Sequence, residues 1–146
     1  MENNIGWLLS RAAFAWRHAV DHYMADLGLT QSRWIAMLHL DRTGEGCSQK
    51  ELAGDIGIEQ PSLLRTLNLL EEAGLILRKP CPDDARRKTL WFTEKGRELM
   101  QAVEARAFEG RQQMLRGLSD EERSVFYVLL SKVIDNANHI STPENS

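Results

Sequence analysis

Ser48-Gln49-Lys50-Glu51-Leu52-Ala53-Gly54-Asp55-Ile56-Gly57-Ile58-Glu59-Gln60-Pro61-Ser62-Leu63-Leu64-Arg65-Thr66-Leu67-Asn68-Leu69-Leu70-Glu71-Glu72-Ala73-Gly74 is the stretch whose reading decides the fold. It opens with the Ser-x-x-Glu spacing of a capping box, in which a hydroxyl and a carboxylate satisfy backbone N–H groups left unpaired at a helix start. The helix that follows is short, and Gly54 and Gly57 bracket its end. A tight turn over 57–60 comes next. Pro61 suits the first helical position, where its missing N–H costs nothing. Short helix, glycine-containing turn, longer helix is the pattern of a helix-turn-helix.

On a wheel at about 100° per residue, Leu63, Leu67, Leu70 and Gly74 fall within roughly 60° and form an inward face. Arg65 lies nearly opposite, and Pro61, Ser62, Asn68, Leu69 and Glu72 share its side. A helix presenting Ser62, Arg65 and Thr66 over its N-terminal half can reach base edges, and an arginine can bond bidentately to guanine in the major groove. The competing reading of Arg65 is a solvated surface side chain. Leu69 is apolar and outward, placed either under the next element or at a second surface.

Gly74 ends this helix. Leu75-Ile76-Leu77-Arg78 and Thr89-Leu90-Trp91-Phe92 read as strands, with turn chemistry in Pro80-Cys81-Pro82-Asp83-Asp84 between them. The arm carries Arg86-Arg87-Lys88, so the hairpin is basic and projecting, a wing. An arginine at such a tip can enter a narrow minor groove, where the negative potential is deepest.

The flanks are helical. Ile5, Leu8, Leu9, Ala12, Trp16, Ala19, Val20 and Tyr23 recur at helical spacing over about residues 5–25. Trp7, Ala13, Phe14 and Ala15 lie off that stripe, so the helix needs cover on a second side; a partner subunit is the expected cover in so short a chain, and a fully buried central helix of a monomer is the alternative. Gly28 suits a left-handed helix end and Thr30 an N-cap. A helix over about 31–42 turns Trp34, Met37 and Leu38 inward. Thr93 caps another, to about Arg116, striped with Leu99, Met100, Val103, Ala107 and Met114. Ser119-Asp120-Glu121-Glu122 is a second capping box, opening a helix with Val125, Phe126, Leu129, Leu130, Val133, Ile134, Ala137 and Ile140. The expected organisation is an N-terminal dimerisation helix (1–28), a DNA-binding domain (29–96), C-terminal dimerisation helices (97–140) and a frayed tail (141–146).

Composition sets the outer bounds. With 146 residues, 42% hydrophobic and 27% charged, the chain is an ordinary globular one, long enough to fold without disulfides or metal. Cys47 and Cys81 form no metal or redox motif and read as structural thiols. The longest apolar run, Val125 to Leu130, is far short of a membrane span, and Met1-Glu2-Asn3-Asn4 does not open a secretory signal, so a cytoplasmic protein with no membrane partner is expected. The net charge of −3 conceals a local basic patch of Arg78, Lys79, Arg86, Arg87, Lys88, Lys95 and Arg97. Screening over about 8–10 Å makes that patch matter more than the total.

No enzyme fingerprint occurs, and no motif asks for a cofactor. His18 and His22, one turn apart, with Asp21 and His39 available, raise the alternative of a metal-responsive regulator, but two such ligands alone do not make a site. A dimeric protein-interaction module with a weak DNA lobe is the other alternative.

These motifs together resemble the MarR family of transcriptional regulators, and within it the SlyA branch. The resemblance is carried by Leu29-Thr30-Gln31 with Trp34, by Gly57 to Leu67, by Leu70-Glu71-Glu72 and Gly74-Leu75-Ile76, by Asp84-Ala85-Arg86, and by Leu90 to Gly96. It implies a mainly α fold with a β-hairpin wing, a winged helix-turn-helix flanked by dimerisation helices. It implies a homodimer on an inverted-repeat operator in double-stranded DNA, with Arg65 reading bases, Arg86 in the minor groove and Asp84 anchoring the wing. The residues expected to meet DNA are Ser48, Gln60, Pro61, Ser62, Arg65, Thr66, Arg86, Arg87 and Lys88. Members of the family respond to small aromatic acids, and Trp16, Arg17, Trp34 and His39 are the residues expected to line such a crevice here. Phe14 and Leu38 stand where the branch carries polar pocket residues, which argues against a salicylate-type ligand.

Overall fold

The computed structural model describes residues 4–141. In chain order it contains α1 (Ile5–Met24), a short 3-10 turn (Ala25–Leu27), α2 (Gln31–Thr43), α3 (Gln49–Ile56), α4 (Gln60–Glu72), β1 (Ile76–Pro80), β2 (Lys88–Phe92), α5 (Glu94–Met114) and α6 (Asp120–Ser141). This is the mainly helical, winged architecture expected from the motifs. The expected frayed tail lies, beyond Ser141, outside the described residues. No helix among the described residues is long and apolar enough to cross a membrane.

The backbone forms two compact units, Met1–Arg111 and Gln112–Ser146. Helix α1 and most of α5 therefore pack within the first unit. Its core is built from Met24, Met37, Leu40, Leu52, Leu63, Leu67, Leu70, Ile76, Leu90 and Val103, all fully buried. Each such side chain contributes about 1.5–3 kcal/mol of hydrophobic stabilisation. They come from α1, α2, α3, α4, the hairpin and α5, so the helix-turn-helix and the wing share one core. From α1, only Val20 and Met24 are buried; Ile5, Trp7, Leu8 and Phe14 stay more than half exposed.

In the second unit the Ser119 capping box forms as expected, with Ser119 N–H donating to Glu122 Oε1 (2.8 Å) and Glu122 N–H to Ser119 Oγ (3.1 Å). The Ser119 N–H, and then the Ser119 hydroxyl, beside the carboxylate hold the Glu122 carboxyl below its usual range. Arg123 donates to the carbonyls of Leu118 and Leu115, closing the turn before the helix. No residue of α6 is buried, and Val125, Phe126, Tyr127, Leu129, Val133 and Ile134 are exposed.

Local signals account for most boundaries. Gly28 and Gly57 take left-handed φ values of 71° and 85° at helix ends. The Thr93 hydroxyl accepts from Gly96 N–H (2.9 Å) and donates to the Gly74 carbonyl (2.6 Å), capping α5 and tying it to the end of α4. Gly96 lets this joint close, because a Cβ there would lie 2.0 Å from the Leu75 carbonyl oxygen. Thr30 departs from expectation. It holds the N-cap position of α2, but its hydroxyl faces Ser32 Oγ (3.3 Å) and makes no capping bond. Gly74 is also corrected: α4 ends at Glu72, and Gly74 sits past it, exposed and left-handed at φ 75°, rather than on the inward face.

Candidate nucleic-acid interface and adjoining cleft

Helix α4 separates its faces much as the wheel requires. Leu63, Leu67 and Leu70 are at most 1% exposed, while Pro61, Ser62, Arg65, Asn68 and Leu69 lie outside. Arg65 is exposed and makes no ion pair or side-chain hydrogen bond among the described residues. Its guanidinium is therefore free for a partner. The helix starts one residue earlier than expected, at Gln60, so Pro61 is its second residue, still among the N–H groups that a helix leaves unpaired.

Two of the residues expected to meet DNA are largely buried. Thr66 is only 7% exposed, and its hydroxyl turns back toward the Ser62 carbonyl one turn earlier. At about 100° from Arg65 it sits on the boundary between faces, and packing takes it inward. Ser48 is 5% exposed, its hydroxyl accepts from Glu51 N–H (3.0 Å), and its own N–H donates to Glu51 Oε1 (3.1 Å). The capping box forms as expected. The Ser48 N–H, and then the Ser48 hydroxyl, beside the carboxylate hold the Glu51 carboxyl below its usual range.

The hairpin pairs Ile76 with Phe92 through Pro80 with Lys88, antiparallel. Its base is fastened to the loop before α3. Gly46 N–H donates to the Leu90 carbonyl (2.8 Å) and Leu90 N–H to the Cys47 carbonyl (2.9 Å), and Ser48 bridges Thr89. The Glu45 carboxylate accepts from Phe92 N–H (2.8 Å) and from Arg97 (3.1 Å). Arg78, on β1, donates to Asn68 Oδ1 (2.6 Å) and to both oxygens of Glu71 (2.9 and 3.4 Å), which ties the wing root to α4. That contact holds the Glu71 carboxyl below its usual range. Arg78 and Arg97 are thus spent on the scaffold, and Lys95 bonds the Ala73 carbonyl (3.1 Å). The basic patch counted along the chain contracts in space to the wing tip.

At the tip, Asp84 Oδ1 accepts from Arg86 N–H (3.0 Å) and Nε (3.2 Å), which lowers the Asp84 pKa and fixes the root of the arginine. The Arg86 side chain beyond is 92% exposed. Arg87 lies 3.8 Å from Glu51. A cleft of about 550 Å³ between the wing and the start of α3 is lined by Ser48, Gln49, Lys50, Gln60, Arg86, Arg87 and Lys88. Gln49 and Lys50 were not singled out in the sequence. Their signal was their place in the first turn after the Ser48 cap.

The four residues expected to hold a ligand converge. Trp16, Arg17, Trp34 and His39 line one cavity of about 780 Å³ with Ile35, Leu38, Asp41, Arg42, Ile56, Gly57, Ile58, Glu104 and Arg111. Trp34 is 4% exposed and its indole N–H donates to Asp21 Oδ1 (2.8 Å), a pairing that fixes the ring plane. His39 Nδ1 lies 2.7 Å from Asp55 Oδ2, to which the Thr43 hydroxyl also donates (3.2 Å), so α2 and α3 are latched on the cavity's flank. Burial works upward on the Asp55 carboxyl, but its bonds from His39 and Thr43 win and its pKa is lowered. The metal-responsive alternative loses its ligand set. Asp21 is engaged by Trp34, His18 stacks on Phe14, and no group of three ligating side chains converges among the described residues.

The MarR family model matches residues 27–87, which run from the end of the 3-10 turn through the helix-turn-helix and β1 to the loop before β2. Over the whole chain, the solved structure of transcriptional regulator PA3341 is 35% identical with a TM-score of 0.86, covering 92% of this chain and 98% of that one. The transcriptional repressor CouR, solved bound to a 23-mer DNA duplex, is 28% identical with a TM-score of 0.77, covering 88% and 91%. A MarR-family regulator from Rhodococcus sp. RHA1 is 26% identical with a TM-score of 0.74, covering 96% and 94%. The helix-turn-helix, the anchored wing and the flanking helices agree with these matches, and the chain belongs to the MarR family of transcriptional regulators.

Proposed function

We propose that the chain acts as a homodimer that reads a pseudo-palindromic operator in double-stranded DNA, in the manner of the SlyA branch, and releases it when a small aromatic acid binds. The observation that carries the DNA reading is the exposed, unpaired Arg65 on the outer face of α4, beside a wing whose Arg86 is 92% exposed. Arg65 supplies the bidentate guanine contact in the major groove, with Pro61 and Ser62 beside it. Arg86 enters the minor groove, held at its root by Asp84. Gln60, Arg87 and Lys88 position the backbone. The similarity to a repressor solved on a DNA duplex supports this reading.

Dimerisation is supported by the apolar surface that the chain leaves uncovered. Ile5, Trp7, Leu8 and Phe14 on α1, and Val125, Phe126, Leu129, Val133 and Ile134 on α6, exceed what an isolated domain leaves to water. A second copy covering both helices places two reading heads on half-sites about 34–36 Å apart, one helical turn.

The cavity is the ligand site. Trp16, Trp34 and Leu38 supply flat apolar walls, and Arg17, Arg42 and His39 supply a carboxylate partner. Its wall includes Ile56, Gly57 and Ile58, the turn that sets the angle of α4, so a ligand there acts on the reading helix directly. Selection of binding sites from random DNA, with and without a panel of small aromatic acids, tests both parts. The expected outcome is a two-fold symmetric site, a loss of about 1–3 kcal/mol with relaxed preference at one position for Arg65→Ala, and weaker selection with the acid present. Equal losses on specific and random DNA would reduce Arg65 to a phosphate contact.

A further inference from the structure

Leu69 is an outward apolar residue of α4 that the reading above leaves unused. We infer that it is a specificity-determining residue, reading the 5-methyl group of a thymine in the major groove; the inference rests on the DNA-binding reading. The core of α4 is complete without it, since Leu63, Leu67 and Leu70 are at most 1% exposed while Leu69 is 41% exposed.

Its position on the helix follows from where the hairpin lies. Arg78 of β1 reaches Asn68 (2.6 Å) and Glu71 (2.9 Å), which marks the flank of α4 that the wing root occupies. On the wheel, Asn68 and Glu71 fall about 60° and 120° to one side of Arg65, whereas Leu69 and Ser62 fall about 40° and 60° to the other. Leu69 is therefore not under the wing. It belongs to an open strip with Ser62 and Arg65. Leu64, also exposed, falls about 100° toward the wing flank and is outside this strip.

The chemistry of the strip is a hydroxyl, a guanidinium and an isobutyl group in succession. Among the base edges of the major groove only thymine presents an apolar group, its C5 methyl. Leu69 stands about 6 Å along the helix axis from Arg65, roughly two base-pair steps at 3.4 Å each. Recognition helices that lie along the groove read bases from residues spread over more than two turns, so a contact from Leu69 accompanies one from Arg65. Asn68, otherwise a reader of adenine, is held by Arg78, which leaves Leu69 as the next side chain available beyond Arg65.

The test uses the full chain and a duplex selected by the wild-type protein from random DNA. Each thymidine is replaced singly by deoxyuridine, which deletes only the methyl group. At one thymine within about two base pairs of the guanine that depends on Arg65, the wild type is expected to lose about fourfold in affinity per half-site, the worth of one buried carbon. Leu69→Ala is expected to lose a similar factor on the thymidine duplex and nothing further on the deoxyuridine duplex, with its melting temperature and salt dependence unchanged. A wild type indifferent to every deoxyuridine, or a Leu69→Ala variant as sensitive as the wild type, overturns the assignment. A protein that selects no site at all overturns the DNA reading itself, which separates the two failures.

Discussion

Gly96 and Gly54 are both helical glycines, and replacing each by alanine should have opposite effects. Alanine is intrinsically better in a helix by about 0.8–1.0 kcal/mol. At Gly54, on the exposed side of α3, an added Cβ meets nothing within 4 Å, so Gly54→Ala should gain up to about 1 kcal/mol. At Gly96 the new Cβ would stand 2.0 Å from the Leu75 carbonyl oxygen and 3.0 Å from its carbon, whereas ordinary contact begins at 3.4 Å. Both sides of the clash are backbone, so no rotamer can relieve it. The first turn of α5 must retreat, and the same joint holds Thr93 N–H on the Leu75 carbonyl (3.0 Å) and the Thr93 hydroxyl on the Gly74 carbonyl (2.6 Å). Overpacking costs about 1–3 kcal/mol and each weakened hydrogen bond about 1 kcal/mol. After subtracting the propensity gain, Gly96→Ala should destabilise by on the order of 3 kcal/mol, which lowers Tm by about 6–12 °C in a chain of this size. Urea and thermal melts followed by circular dichroism, at one fixed protein concentration because a dimer's stability depends on it, measure both variants. A Gly96→Ala protein as stable as the wild type, alongside a stabilised Gly54→Ala, would refute the close approach of α5 to Leu75.

Three further outcomes are expected. Arg86→Ala should weaken binding most on operators with A·T-rich flanks, where the minor groove is narrow; gel-shift affinities that fall equally on G·C-rich flanks would remove the minor-groove role. If the dimer makes about 6–10 phosphate contacts, affinity should drop by roughly 10³–10⁵ between 50 and 200 mM salt, and a flat response would favour the protein-interaction reading. The Asp84 pKa is lowered by the Arg86 N–H and guanidinium. Its stabilising effect is therefore complete above the unfolded value of about 3.9 and is lost as pH falls through the lower folded value. The Arg86 amide resonance, followed by NMR from pH 6 downward, should shift only below about pH 4, and a midpoint above that refutes the pairing.

Features that depend on neighbours in the chain were legible in the sequence. The capping boxes at Ser48 and Ser119, the left-handed Gly28 and Gly57, and the split of α4 into leucine and arginine faces all rest on spacings within one or two turns. Thr66 shows where that reading stops. A wheel places it on a boundary, and only the packed neighbours decide its side. Ser48 caps α3 as its spacing requires, while its bridge to Thr89 on the hairpin had no signal in that spacing. Contacts across long separations left no pattern to read. Glu45 meets Phe92 and Arg97 on a hairpin and helix far along the chain. Asp21 stood between two histidines and suggested a metal, whereas the buried indole of Trp34 required an acceptor and found it there. Trp16, Arg17, Trp34 and His39 were grouped through the family resemblance and line one cavity, whose contact with the 56–58 turn emerged only from the fold.

The Arg78 fork makes the reading helix and the wing a single gauge. Because one guanidinium grips both Asn68 and Glu71 from the root of β1, the offset between the two groove contacts is set inside the protein. Under the proposed DNA reading, binding sites can then vary in the bases they offer, but not in the number of steps between the base met by Arg65 and the groove met by Arg86. Under the proposed ligand reading, a molecule that tilted the turn at Gly57 would lift both ends of the gauge together, and release would be concerted within each half-site rather than staged.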